Sequence, residues 1–470
     1  MFTRRHLAPS SVDTATNKAA DAATADSAPG SGGSGRRRRR PALPRFAALA
    51  AGAALALSAC SAAGGSSSSS SGGDNNTITF LTFETPNLTP AYWDAAIKRV
   101  TDQFPGMKVK RLVSPTSDRT SYAKQLKASG QFPDVMIAVT PTGFAQAGDL
   151  YAWQPGDLTQ FEVPDGGAIG GKVYQLPANT QTIPMVYYRK SMFAKAGITA
   201  TPTTYQQMLD DSAKLKAAGV LPFQVGGGSD AFAAVLPLSA TVATQVYRQD
   251  PNWLVERHTN QVKFSDPDFV DALQRVGDLA AKGYIDRSGL SRNYADSQKA
   301  FLDGSGAMYP MGIWFASAAD ASPIKDDIGV FAWPTDDGKL VMPAYTGGGL
   351  EVSAHAKNLD MAKKFALAFQ LDKQNLDNNV LSDALFPAIK GYTPPSTTGP
   401  VFNESYQLYQ QAKTSGTVVK AFSWEAGDDA LLPGMVDVVY GAVEDVMLGK
   451  KSAKDAASYL DSEWAKQSSD

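Results

Sequence analysis

From Thr77 onward the chain alternates short apolar runs with helix-length amphipathic segments, and this alternation limits the possible folds more than any other feature. Thr77 to Phe83 reads as a strand, Tyr92 to Phe104 as a helix stopped by Pro105-Gly106, and Met107 to Val113 as a second strand. The unit is βαβ. A helix from about Asp118 to Ser129 and a strand at Asp134 to Val139 continue the pattern, so a layered α/β lobe is expected.

Gly171 to Gly197 carries a different pattern. Lys172 to Pro177 is an apolar-rich run broken at proline and reads as a strand, whereas Asn179 to Thr182 are four polar, uncharged residues that read as a loop with a use other than core. Pro184 to Tyr188 is again strand-like. Beyond Arg189-Lys190-Ser191, helical spacing of Met192, Phe193 and Ala196 runs to a C-cap at Gly197.

A second, more helical region follows. Thr204 to Gln207 has the form of a capping box opening a helix that reaches Ala218, and Leu221 to Val225 reads as a strand. Helices are expected at about Ala231 to Tyr247, Asp268 to Ala281 and Tyr294 to Leu302, then strands at Ala307 to Met311 and Ile328 to Trp333. Leu350 to Ser353 and Leu359 to Leu371 form a strand and a helix, and Asn403 to Ala412, Leu431 to Leu448 and Ala453 to Trp464 are the last helices.

Cys60 is the single cysteine, which excludes an internal disulfide framework and a thiolate metal cluster. It follows Leu57-Ser58-Ala59, the basic run Arg36 to Arg40 with Arg45, and the apolar run Phe46 to Leu57. Those are the parts of a secretory signal ending in a bacterial lipobox, so residues 1–59 are expected to be a leader and Cys60 a lipidation site. Residues before Arg36 are Ala/Ser/Gly-rich without periodicity. Ser61 to Asn76 is a Gly/Ser linker, with a span of roughly 20 to 25 Å. Removing the 9 basic and 3 acidic residues before Cys60 leaves 35 and 43, a net charge of about −8. With no basic block after the leader, nucleic acid is not expected as a partner.

Catalytic motifs fail on inspection. Gly166 to Lys172 fits the first seven places of a phosphate-binding loop, but Val173 stands where magnesium chemistry needs Ser or Thr. His258 and His355 are the only histidines after the leader, and no nucleophile elbow accompanies them. The acidic pairs Asp210-Asp211, Asp326-Asp327 and Asp428-Asp429 are neighbours that do not face one another on a helix, and they read as caps and surface charge.

Three segments resemble, in order, the family 1 extracellular solute-binding proteins, the sugar-binding components of ABC importers. They are the Gly171 to Ile198 stretch leading to Thr201-Pro202-Thr203-Thr204-Tyr205, KAFLDGSGAMYPMGIW at Lys299 to Trp314, and GGGLEVSAHAKNLDMAKKFALAF at Gly347 to Phe369. The resemblance covers most of the chain after Asn76. It implies a two-lobed, periplasmic-binding-protein-like α/β fold, similar to maltose-binding protein, with discontinuous lobes joined by hinge strands around a ligand cleft. Residues 77–187 with 346–387 would form lobe one and 188–345 with 388–470 lobe two, with crossings near Tyr187, Tyr345 and Pro387.

The implied function is capture of a mono- or oligosaccharide, without cofactor or metal, for delivery by a lipid-anchored monomer to membrane permease subunits at the outer face of the cell membrane. Sugar rings ask for aromatic faces, and their hydroxyls ask for amides or carboxylates. Trp314, just past a strand end, is the expected ring platform. Glu84 matches the place of a polar sugar ligand, and Thr140 and Thr142 stand as small neutral residues where relatives present aromatic or charged groups. Asn179, Gln181 and Thr182 match the polar inter-lobe segment, Tyr345, Gly348 and Gly349 the returning hinge, and Trp424 with Glu425 a second aromatic and acid pair. The rival readings are a secreted, lipid-anchored carbohydrate hydrolase and an adhesion lipoprotein.

Overall fold

The structure, a computed structural model, describes residues 76–116, 118–424 and 427–468. The leader and linker readings before Asn76, Cys60 among them, and the reading of Glu425 lie outside the described residues.

Among the described residues the strands are β1 (Thr77–Thr82), β2 (Lys108–Val113), β3 (Val135–Ile137), β4 (Asn179–Thr182), β5 (Met185–Arg189) and β6 (Met308–Met311). There follow β7 (Ile328–Phe331), β8 (Met342–Gly347), β9 (Leu350–Val352), β10 (Phe386–Pro387) and β11 (Val418–Lys420). They form three sheets, ordered β2-β1-β3-β9, β10-β4-β8-β11 and β6-β5-β7.

In the first sheet β1 runs parallel to β2 and β3, and β9 adds an antiparallel edge against β3. Parallel neighbours require crossovers, here the helices Pro90–Thr101 and Arg119–Ala128. The first begins at Thr89, whose hydroxyl accepts from the Tyr92 N–H, with Pro90 where a missing N–H costs nothing. Its Trp93, Ala96 and Val100 are buried. Phe80 of β1 meets the rings of Trp93, Phe365 and Phe369 at 6.2, 5.3 and 5.4 Å. Each such buried ring contributes about 1.5 to 3 kcal/mol, so this cluster anchors the helices to the sheet.

The more helical half has its own core. Pro267–Ala281 buries Phe269, Ala272, Leu273, Val276 and Leu279, which pack with Val439 and Val443 of Met435–Met447 and Leu460 and Trp464 of Ala453–Gln467. The third sheet borders this core, with β5 antiparallel to both β6 and β7. Between the two cores lies the middle sheet, in which β4 pairs antiparallel with β8, Asn179 opposite Gly347 and Gln181 opposite Tyr345.

Several local expectations are corrected here. Asn179–Thr182 is a strand with every residue buried, not a loop, whereas Lys172 to Pro177 makes only isolated bridges at Lys172, Val173 and Gln175. Polar composition misleads because β8 and β10 on either side satisfy the backbone of β4. Leu221 to Val225 is likewise no strand, since Phe223 alone bridges to Ile285 and Met308. The expected helix Ala231 to Tyr247 divides into Phe232–Val242 and a π-helical turn at Ala243–Tyr247. Pro237 inside the first part lacks an N–H to donate. Among the described residues, no group of His, Cys, Asp and Glu is placed to hold a metal ion, and no helix is long and apolar enough to cross a membrane.

Candidate ligand-binding cleft

A cleft of about 890 Å³ opens at the middle sheet, within the range for small-molecule sites. It is bounded on one side by the segment after β1, the start of the helix Arg119–Ala128 and the segment after β3, and on the other by Phe232, Tyr294, Trp314 and Trp424. Asn179, Gln181 and Tyr345 form its floor.

The second side is an aromatic wall. Trp314 and Trp424 lie 5.7 Å apart, Tyr345 stacks on Trp424 at 6.2 Å and 26°, and Phe232 meets Tyr294, Trp314 and Trp424 at 5.7, 6.2 and 5.9 Å. All five rings are partly exposed, so each retains surface for a ligand. Trp314 caps the helix Phe315–Ala321 directly after β6, and its indole folds back over Gly312. Burial holds the Tyr294 phenol well above its ordinary range, against the opposing hydrogen bond with the Trp314 side chain.

Polar atoms complete the surface. Thr142 Oγ1, Asn179 Oδ1, Gln370 Oε1 and Trp424 Nε1 are buried in residues that line the cleft and, among the described residues, have no hydrogen-bond partner. Unpaired buried polar atoms cost about 1 to 3 kcal/mol each, and a ligand's hydroxyls would repay that cost. Arg119 lies 4.2 Å over the Phe83 ring and donates from Nε to the Ala138 carbonyl at 2.8 Å. Ala138 has a φ of 55°, a conformation that places backbone strain at the cleft edge. Burial pushes the Asp383 carboxyl up to about 8, opposed by the Asn87 amide and the Arg119 charge. Behind Arg119, Glu351 is fully buried and bonded to Gln175, and burial raises its carboxyl well above the carboxylate range.

The structure brings Glu84, Thr140, Thr142, Asn179, Gln181, Trp314, Tyr345, Gly348 and Trp424 to this cleft. Glu84 is already paired with Arg111 at 2.9 Å. Two expected residues are not among the lining and are corrected. Thr182 is fully buried, and its carbonyl accepts from the Ile313 N–H at 3.1 Å. Gly349 serves packing, since a Cβ there would lie 2.0 Å from the Leu176 carbonyl oxygen. Gly348, with φ +71°, donates its N–H to Gln175 at 2.9 Å.

Sequence reading missed Phe232, Tyr294, Arg119 and Asp383. The first three read only as residues of expected helices. Asp383 ends the helix Lys373–Asp383 just before the expected crossing near Pro387, a position that could have signalled it.

Comparison with known proteins places these features. Residues 85–376, more than half of the chain, match the model of the bacterial extracellular solute-binding protein family. The chain is 27% identical over 288 residues to a multiple sugar-binding protein of Streptococcus mutans serotype c, covering 58% of this chain and 67% of that protein. Among solved structures it superposes on a chitin oligosaccharide binding protein with TM-score 0.74 and 24% identity, over 85% of this chain and 100% of the other. On maltose-bound MalE3 of T. maritima the TM-score is 0.66 at 18% identity, over 83% and 99%.

Proposed function

Because this chain belongs to the bacterial extracellular solute-binding protein family, whose two-lobed fold it shares, we propose that it captures a mono- or oligosaccharide in the cleft and delivers it to an ABC importer. It acts at the outer face of the cell membrane, held there through lipidated Cys60 and its linker. The observation that carries this reading is the wall of partly exposed rings together with buried polar atoms of the cleft lining that, among the described residues, lack partners. Rings suit the apolar C–H face of a pyranose, and orphan amide and hydroxyl oxygens suit its hydroxyls. The neighbours named for multiple sugars, chitin oligosaccharide and maltose support the ligand class.

Residues 77–187 with 346–387 and 188–345 with 388–470 act as the two lobes, and they close by bending of the strands near Tyr187 and Tyr345. Closure buries the ligand and shapes one surface for the permease.

A thermal-shift and tryptophan-fluorescence screen of mono- and oligosaccharides tests the ligand class. A sugar present at 100 times its dissociation constant stabilises by about 2.7 kcal/mol. Absence of stabilisation across the panel would remove the carbohydrate reading. Shortening of an oligosaccharide during the assay would transfer it to the hydrolase.

A further inference from the structure

Two direct contacts join the walls of the cleft, one at each edge of the sheet beneath it. At the β10 edge Asn87, after β1, donates from Nδ2 to Ser317 Oγ at 3.1 Å and to the Trp314 carbonyl at 3.4 Å. Ser317 Oγ in turn donates to the Ser382 carbonyl, just before β10, at 2.8 Å. At the β11 edge the Asp428 carboxylate accepts from the Gly170 N–H at 3.0 and 3.1 Å, and the Asp428 N–H donates to the Ala168 carbonyl at 3.1 Å. Ile169 packs with Leu81 and Met136 of the first sheet, whereas the Ala430 carbonyl accepts from His258 Nε2 of the helical half at 2.8 Å. This contact too therefore joins opposite sides, and the chain runs on from it to line the cleft at residues 431–434.

Resting on the carbohydrate reading above, we propose that this cleft takes a short oligosaccharide whole, and that Asn87 and Asp428 set its length by closing both ends. The sheet order β10-β4-β8-β11 puts three strand spacings between the two edges, a floor roughly 14 Å wide at about 4.8 Å per spacing. A pyranose repeat is about as long as one strand spacing, so the floor takes about two or three rings laid across the strands. Each end contact also adjoins one indole of the aromatic wall. Asn87 bonds the carbonyl of Trp314, and Asp428 follows Trp424, whose ring lies 5.7 Å from that of Trp314. A sugar that covers both indoles therefore has an end contact beyond each.

A longer chain, or an internal stretch of a polysaccharide, would have to leave through one or both edges. At the β11 edge there is no gap to use, because a Cβ on the buried Gly427 would already stand 2.2 Å from the Ala168 oxygen. An extra ring must part these walls and take the Gly170 N–H from Asp428, or the Asn87 amide from Ser317 and Trp314. Entry lies elsewhere. Among the described residues no hydrogen bond or ion pair joins the helix Arg119–Ala128 to the helix Met435–Met447 across the cleft, which leaves that face for a short sugar to enter. A single ring would enter as readily but leave one of the two indoles uncovered.

The test is calorimetry on the purified full chain with malto-, cello-, xylo- and chito-oligosaccharides, each from the monosaccharide to the hexasaccharide. In the series that binds, affinity is expected to peak at the di- or trisaccharide and to fall roughly 10-fold or more by the hexasaccharide. A p-nitrophenyl group on the reducing end of the preferred sugar should weaken it in the same way. Asn87→Ala and Asp428→Ala should reverse part of the loss with length, and the double variant most of it. A merely structural role would weaken every length alike, so an unchanged ratio of hexasaccharide to preferred sugar in folded variants overturns the assignment of these two residues. Wild-type affinity that is greatest for the monosaccharide, or that holds level or rises to the hexasaccharide, overturns the length limit and leaves the carbohydrate reading intact, whether or not the variants fold. Failure of the wild type to bind any member of any series counts against both.

Discussion

The backbone of Gly312 lies directly beneath the indole of Trp314, where an added Cβ would stand 2.2 Å from Cζ3. The glycine directly follows β6, and its missing side chain lets the next-but-one residue fold back and present a ring to the cleft. Gly312→Ala should therefore displace the indole. Overpacking of this kind costs about 1 to 3 kcal/mol of stability, and sugar affinity should fall with it. Combined with Trp314→Ala, the same substitution should become nearly neutral, and a double-mutant cycle by denaturant unfolding that proves additive would break the link.

Trp314 itself is partly exposed in the cleft lining. Trp314→Ala should cost less than the ~3 to 5 kcal/mol of a core tryptophan. Its loss from the ligand face should weaken sugar binding by about 2 kcal/mol or more, by analogy with aromatic hot spots. Unfolding without ligand and titration with the best sugar measure the two effects separately. A large stability loss with unchanged affinity would return Trp314 to the core.

Asp383 carries a sign that differs from the usual carboxylate. Its carboxyl in the fold stands at about 8 against an ordinary 3.8, so the folded state holds its proton more tightly than the unfolded chain does. Stability from this group is therefore full below the ordinary value and declines as pH rises toward 8. Melting temperatures of wild type and Asp383→Asn between pH 4 and 9 should diverge, with the variant gaining on the wild type as pH rises. A constant difference would mean that Asp383 is not held protonated.

The glycine-rich turn that resembles a phosphate loop has a different use. Gly170 donates its N–H to both Asp428 carboxylate oxygens at 3.0 and 3.1 Å, and the Asp428 N–H donates to the Ala168 carbonyl at 3.1 Å. Gly427, with φ +77°, leaves no room for a side chain, since a Cβ would sit 2.2 Å from the Ala168 oxygen. This contact lies three residues beyond Trp424 of the cleft lining. Asp428→Ala should cost about 0.5 to 1.5 kcal/mol of stability and speed sugar release in stopped-flow fluorescence. Gly427→Ala should be the more damaging, through both its backbone and the clash. Equal, negligible effects from the two variants would mean that this contact does not hold the segment.

Cys60→Ser tests the anchor. Expressed in its host, the variant should leave the membrane fraction for the soluble one. Unchanged membrane retention would require another anchor.

What the sequence determined by itself is what repeats locally or depends on single positions. The strand-helix-strand alternation from Thr77 yields the parallel β1, β2 and β3, because hydrophobic period and capping act within one segment. The place of Trp314 past β6 was legible for the same reason, and the family was legible because its three motifs stand in order. Tertiary structure decided the rest. Asn179–Thr182 became a strand only because β8 and β10 arrive from distant parts of the chain to satisfy its backbone. Thr182 and Gly349 lie in motifs that suggest a ligand, yet packing against Ile313 and Leu176 took them out of the cleft. Arg119 opens one helix and Asp383 closes another, and each alone reads as surface charge. Only the fold brings both to the lining of one cleft, because the two helices come from distant parts of the chain.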